Sequence, residues 1–250
     1  MIKINLKKIL KALKPTQVSG GFTLQEMLIS SFLSLLVLGV AGNSLIKVMG
    51  DQKQVTADVE RRTEVNRTIE FITAEIRESE GIDQDVSSTN LTDVAPDFTL
   101  PTGGTAVLSL EVPNVEQRII YYVAPKTAGS AWQGSQLIYR WGPNLGADGQ
   151  YTDADTPGTW VGTPLVDLVD NTPLDVSWTC PSGTLVPSTG ATGFYACVEG
   201  GKIAQIYLSG EITTSFSKDS YQASTKATAP VKPASILTTP PLLVSKPLNY

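Results

Sequence analysis

The chain has 250 residues, 41% hydrophobic and 17% charged, with a net charge of −5; that balance allows one or two domains with a sizeable core and excludes a protein of many membrane spans. It contains no histidine, which removes the commonest general base and the commonest metal ligand. The charge is uneven: residues 1–21 hold Lys3, Lys7, Lys8, Lys11 and Lys14 and no acid, so the remainder carries 14 basic against 24 acidic residues, a net −10, and would repel a nucleic acid.

Met27 to Ile46 is a run of twenty residues without a charge. At helical rise it spans about 30 Å, the thickness of a bilayer core. The lysines before it place the N-terminus inside and the rest outside. Ser30, Ser31 and Ser34 fall within the run, where hydroxyls can bond back to their own helix. Three readings fit such a segment: a secretory signal cut near Ala41-Gly42-Asn43, an anchor that is never cut, and a third that rests on the residues just before the run. Those residues are Gly21-Phe22-Thr23-Leu24-Gln25-Glu26. Neither of the first two readings accounts for a glutamate at the lip of a membrane span, where an unpaired carboxylate costs about 2.5–3.5 kcal/mol or more.

Gly21 to Glu26 resembles the class III signal of type IV prepilins and pseudopilins, Gly-Phe-Thr-Leu-x-Glu. The resemblance implies a prepilin peptidase that cuts between Gly21 and Phe22 and methylates the new amine of Phe22. It makes Glu26 the fifth mature residue, an assembly residue that pairs with the amine of a neighbouring subunit. It also implies other pilin subunits, an assembly ATPase and an inner-membrane platform as partners, with membrane lipid around the helix before assembly. Independent physics agrees. Glu26 lies four residues from Phe22, one helical turn, and in the first turn, where the helix dipole favours negative charge. Asn43 stands where many pilins carry a proline, with Gly39 and Gly42 as candidates to loosen the helix there.

Residues 47–80 contain no proline. Val55, Val59, Val65, Ile69, Ile72 and Ile76 recur at helical spacing and predict one apolar stripe, packed on the chain's own sheet in the plainer reading or on a coiled-coil partner in the other. Asp58 with Arg62 and Glu64 with Arg67 are expected to pair on the wet face, and Gly81 to cap the helix.

From about residue 82, short runs rich in branched and aromatic residues alternate with Gly, Pro, Asn and Asp. Residues 106–112, 118–124, 136–141, 165–169, 174–178 and 202–208 read as antiparallel strands. The last of them, with Ser209-Gly210 and residues 211–214, reads as a hairpin. A long helix followed by strands makes the fold class α+β, and pilin-like by the resemblance. The expected organisation is a leader 1–21, a long helix 22–81 with its membrane part about 27–46, a β-rich ectodomain 82–215, and an extended Pro/Ser/Thr-rich tail 216–250.

Cys180 and Cys197 are an even pair. In an exported chain they read as one disulfide closing a segment with little drive to fold, worth about 3 kcal/mol on the loop-entropy model. Asp148, Asp153 and Asp155 lie in one glycine-containing loop and are weak calcium candidates. Their spacing fails the EF-hand pattern, and a solvated turn is the plainer reading. Trp132, Trp141, Trp160 and Trp178 can line a sugar-binding surface or, more simply, pack a core. Gly200-Gly201-Lys202 lacks the upstream glycine of a phosphate loop, and Ile203 stands in the Ser/Thr position. No catalytic set and no cofactor is expected. The resulting expectation is a minor subunit, most similar to PilW-like minor pilins, of a type IV pilus or pseudopilus, first in the inner membrane with its ectodomain outside, then in a filament. A filament-tip adhesin and, more remotely, an anchored secreted enzyme are the alternatives.

Overall fold

The computed structural model describes residues 23–213 and 218–230. It is an α+β structure in which one long helix precedes antiparallel sheets. The chain falls into two units that divide between Lys53 and Gln54. Helix α1, Leu24–Glu78, belongs to both. It passes through Gly39, Gly42 and Asn43 without interruption, so the expected loosening there is not seen; a glycine inside a helix weakens it only by about 1 kcal/mol.

In the first unit the apolar side chains of α1 are exposed, among them Leu28, Phe32, Leu36 and Val40. In the second unit α1 has an inner face. Val65, Ile69, Ile72 and Ile76 are buried, as the stripe predicts, but Val55 and Val59 are 63% and 56% exposed. The inner face begins at Arg61, six residues and nearly two turns after the stripe does. The helix also ends before Gly81. Ser79 closes it, its N–H donating to the Glu75 carbonyl at 3.0 Å and its hydroxyl to the Ile76 carbonyl at 2.8 Å, and Gly81 opens strand β1 instead.

The first sheet contains β1 (Gly81–Ile82), β2 (Thr105–Glu111), β3 (Ile119–Pro125), β4 (Gln136–Trp141) and β7 (Thr163–Val166) in that spatial order. Short β5 (Asn144–Leu145) and β6 (Tyr151–Thr152) form a separate ribbon. The second sheet runs β11 (Lys218–Thr228), β10 (Ile203–Thr213), β9 (Phe194–Glu199) and β8 (Thr184–Val186). All pairings are antiparallel.

Strand periodicity explains the two cores. Successive side chains of a strand face opposite ways. On β3, Ile119, Tyr121 and Val123 join the core under α1, together with Leu108, Leu110 and Ile138 of the first sheet and Phe194, Ile206 and Leu208 of the second. Ile120, Tyr122 and Ala124 face the other way, under helix α2 (Ser88–Val94), where Leu91, Trp141 and Trp160 complete a second core. A register shift between Ala106 and Leu108 puts Val107 into the first core as well, breaking the simple alternation of β2.

Three expected elements are corrected. No turn forms at Ser209-Gly210: β10 runs straight through to Thr213. Glycine serves there for close approach, since a Cβ on Gly210 would lie 2.8 Å from Cδ of Arg61 and 2.9 Å from Cγ2 of Val65. The stretch from 216, expected to be tail, contains strand β11, paired with β10 over eleven residues; residues 231–250 of that tail lie outside the described residues. Residues 174–178 are not a strand. Val176 is fully exposed, and Trp178 instead meets Tyr195 and Tyr207 edge-on, at 4.9 and 5.3 Å between ring centroids.

Candidate assembly site

The first turn of α1 carries a reciprocal cap. The Glu26 N–H donates to the Thr23 hydroxyl at 3.3 Å, while Oε2 of Glu26 accepts from the Thr23 N–H at 3.0 Å and from its hydroxyl at 3.1 Å. This is a Thr-x-x-Glu capping box, which satisfies amides that the helix itself cannot. The pattern stands in the sequence as Thr23-Leu24-Gln25-Glu26, and the reading of Glu26 through charge pairing alone passed it over. Gly21 and Phe22, the expected cleavage residues, lie outside the described residues.

Beyond the cap, hydroxyls bond back as expected. Ser30 donates to the Glu26 carbonyl at 2.7 Å, Ser31 to Leu28 at 2.9 Å and Ser34 to Ser30 at 2.9 Å. Such bonds leave no hydroxyl hydrogen without an acceptor in an apolar medium. This stretch of α1 is long and apolar enough to cross a membrane, and none of its most apolar window is buried in the fold.

The second unit holds α1 through a buried polar cluster absent from the sequence reading. Glu75 and Arg140 are 3% and 7% exposed at their side chains. Nε of Arg140 lies 3.0 Å from both carboxylate oxygens and Nη2 lies 2.5 Å from Oε1, while Nη1 donates to the Pro143 carbonyl at 2.8 Å. The Tyr121 and Tyr151 hydroxyls also donate to Glu75, the latter at 2.9 Å. Burial, then the Glu75 charge, pushes the Tyr121 hydroxyl well above its usual range and raises Tyr151 in the same way. For Arg140, burial opposes the charge, and the hydrogen bonds and charge of Glu75 outweigh it, so its pKa is raised. The raised value keeps Arg140 charged inside the core, where Glu75 is its partner. About four turns earlier on α1, Arg61 reaches Asp167, with Nη1 on its carbonyl at 2.9 Å and Nη2 on Oδ1 at 3.1 Å, and pairs with Glu64 at 2.9 Å. The expected Asp58–Arg62 pair forms at 3.0 Å; Glu64 takes Arg61 as its partner.

Cys180 and Cys197 form a disulfide. It ties the strap carrying Trp178 to β9, two residues from Tyr195. Trp141 and Trp160 are buried against each other at 4.8 Å, whereas Trp132 is 40% exposed, so the four tryptophans do not share a surface. Among the described residues no three acidic or thiol side chains gather as metal ligands. Asp148 instead accepts from the Gln150 N–H at 3.1 Å, and the Asp153 carbonyl accepts from the Trp160 indole at 2.7 Å. Gly200 and Gly201 have positive φ and turn β9 into β10, and Lys202 donates to the Glu80 carbonyl; this is hairpin geometry. No family model, curated protein or solved structure matches the chain.

Proposed function

We propose that this chain is a minor subunit of a type IV pilus or pseudopilus, made as a prepilin, cut between Gly21 and Phe22, and assembled through α1. One observation carries the reading: Gly21-Phe22-Thr23-Leu24-Gln25-Glu26 abuts an apolar helix, with Glu26 in its first turn. The cut leaves the apolar helix on the product, so the same segment serves first in lipid and then among neighbouring subunits. The lysine-rich leader keeps the N-terminus on the cytoplasmic side. Glu26 accepts from Thr23 within its own helix and has a second oxygen for the amine of a neighbour's Phe22, which neutralises two charges that are costly in an apolar medium. A prepilin peptidase, an assembly ATPase and an inner-membrane platform are the machinery this requires. The work of the chain is structural and not catalytic.

The test is the N-terminus of the membrane-associated chain, produced together with a prepilin peptidase and read by intact mass and terminal sequencing. A chain beginning at methylated Phe22 is expected. A start near Asn43 means ordinary secretion and a start at Met1 a plain anchor; either removes the filament reading.

A second role on the same filament is favoured by one feature, the partly exposed group of Trp178 and Tyr207 beside Tyr195. As an adhesin surface it would lose attachment in Trp178→Ala with filaments intact; unchanged attachment rejects that role.

A further inference from the structure

We propose that the free edge of β11 is a strand-addition site for residues 234–239 of the same chain, which would extend the second sheet to five strands. β11 pairs with β10 across all eleven residues with no register shift, and it contains neither proline nor glycine. Its only charges are Lys218, Asp219 and Lys226. Among the described residues no strand pairs with its other side. Long, regular edges of this kind are normally blunted by bulges, prolines or inward charges, or else covered. Between Ser220 and Thr225 this edge has none of these devices, and Lys226, on the exposed face, is its one charge beyond Asp219.

The phase of the edge follows from one bond. The Ala229 N–H donates to the Lys202 carbonyl at 2.7 Å. Amides alternate in direction along a strand, so those of Tyr221, Ala223, Thr225 and Ala227 point to β10. The amides and carbonyls of Gln222, Ser224, Lys226 and Thr228 then point outward. Ser220 also points outward, and its N–H is taken by its neighbour Asp219 at 2.8 Å, which marks where addition would stop.

The occupant is chosen by sequence and reach. Residues 234–239 read Ala-Ser-Ile-Leu-Thr-Thr, a proline-free stretch between Pro233 and Pro240 with the branched and hydroxyl residues that strands favour. Residues 229–233 would form the connection, and five residues is within the range of hairpin loops. With Thr228 opposite Ala234, Lys226 lies opposite Ile236 and Thr225 opposite Leu237. Leu237 then falls on the inner face, where β11 presents Ala223, Thr225 and Ala227, small residues that leave room beside the core.

The test is hydrogen exchange resolved to single amides, on the full chain in detergent micelles and on a variant terminated after Pro233. In the full chain the Ser224, Lys226 and Thr228 amides are expected to exchange at least about tenfold more slowly than in the truncated one. The Tyr221, Ala223, Thr225 and Ala227 amides should be protected in both, which shows the sheet intact. Ile236→Pro removes the N–H that would meet the Lys226 carbonyl and should abolish the extra protection without truncation. Equal exchange of the outward amides in the two chains, fast or slow, overturns the proposal. So does protection that disappears on dilution, because the occupant would then be a second copy.

Discussion

The two parts of α1 share a backbone and differ in everything around it. Before Lys53 the helix has no inner face, and its large apolar side chains are more than half exposed. From Arg61 onward every large apolar residue on one face is buried, and the two charged residues on that face, Arg61 and Glu75, are matched by Asp167, just after β7, and by Arg140 of β4. Apolar burial is the main source of stability. The second part therefore finds its burial within the chain, and the first leaves exposed an apolar stretch long enough to cross a membrane. Val55 and Val59 fall between the two regimes, in the second unit but outside its core.

The contrast can be broken most forcefully at Glu75. Glu75→Ala leaves Arg140 charged and buried with its main partner gone and is expected to cost about 3–5 kcal/mol, read by equilibrium denaturation of the full chain in micelles. Combining Glu75→Leu with Arg140→Met should recover much of that loss, because it removes both charges; a double variant as unstable as the single one would mean that geometry, not charge, is what the pair supplies. Replacing Cys180 and Cys197 by serine should cost about 3 kcal/mol by the same measurement. Gly210→Val tests the close approach of α1 and β10: its side chain would collide with Arg61 and Val65, and a loss of about 1–3 kcal/mol is expected. The smallest effect sharpens the comparison from the other side. Val55→Ser with Val59→Ser should leave stability within about 0.5 kcal/mol, and a larger loss would show that α1 is covered further toward its N-terminus than Arg61.

What was legible in the sequence followed the strength of local patterns. β4 stands where its alternating branched and aromatic residues put it, and β2 and β3 are displaced by a residue at each end. The buried stripe from Val65 to Ile76 was plain because its spacing is helical and its residues are large. β11 was hidden because it is an edge strand whose inward residues include Ala223 and Ala227, too small to give a hydrophobic signal against Ser, Thr and Lys. Gly210 misled for a related reason: a glycine that makes room for a helix looks like one that makes a turn. The Glu75–Arg140 pair joins residues 65 apart, and no local pattern reports such a partner. At the N-terminus the position was reversed. Thr23 and Glu26 interact across three residues, so their cap was written in the sequence and needed only to be recognised.

Glu75 is also a shared point of attachment for α1. Tyr121 from β3, Arg140 from β4 and Tyr151 from β6 all converge on that one carboxylate. Because all three share one acceptor, displacing that carboxylate disturbs the contacts of three strands at once, whereas bonds spaced along a seam can be lost one at a time.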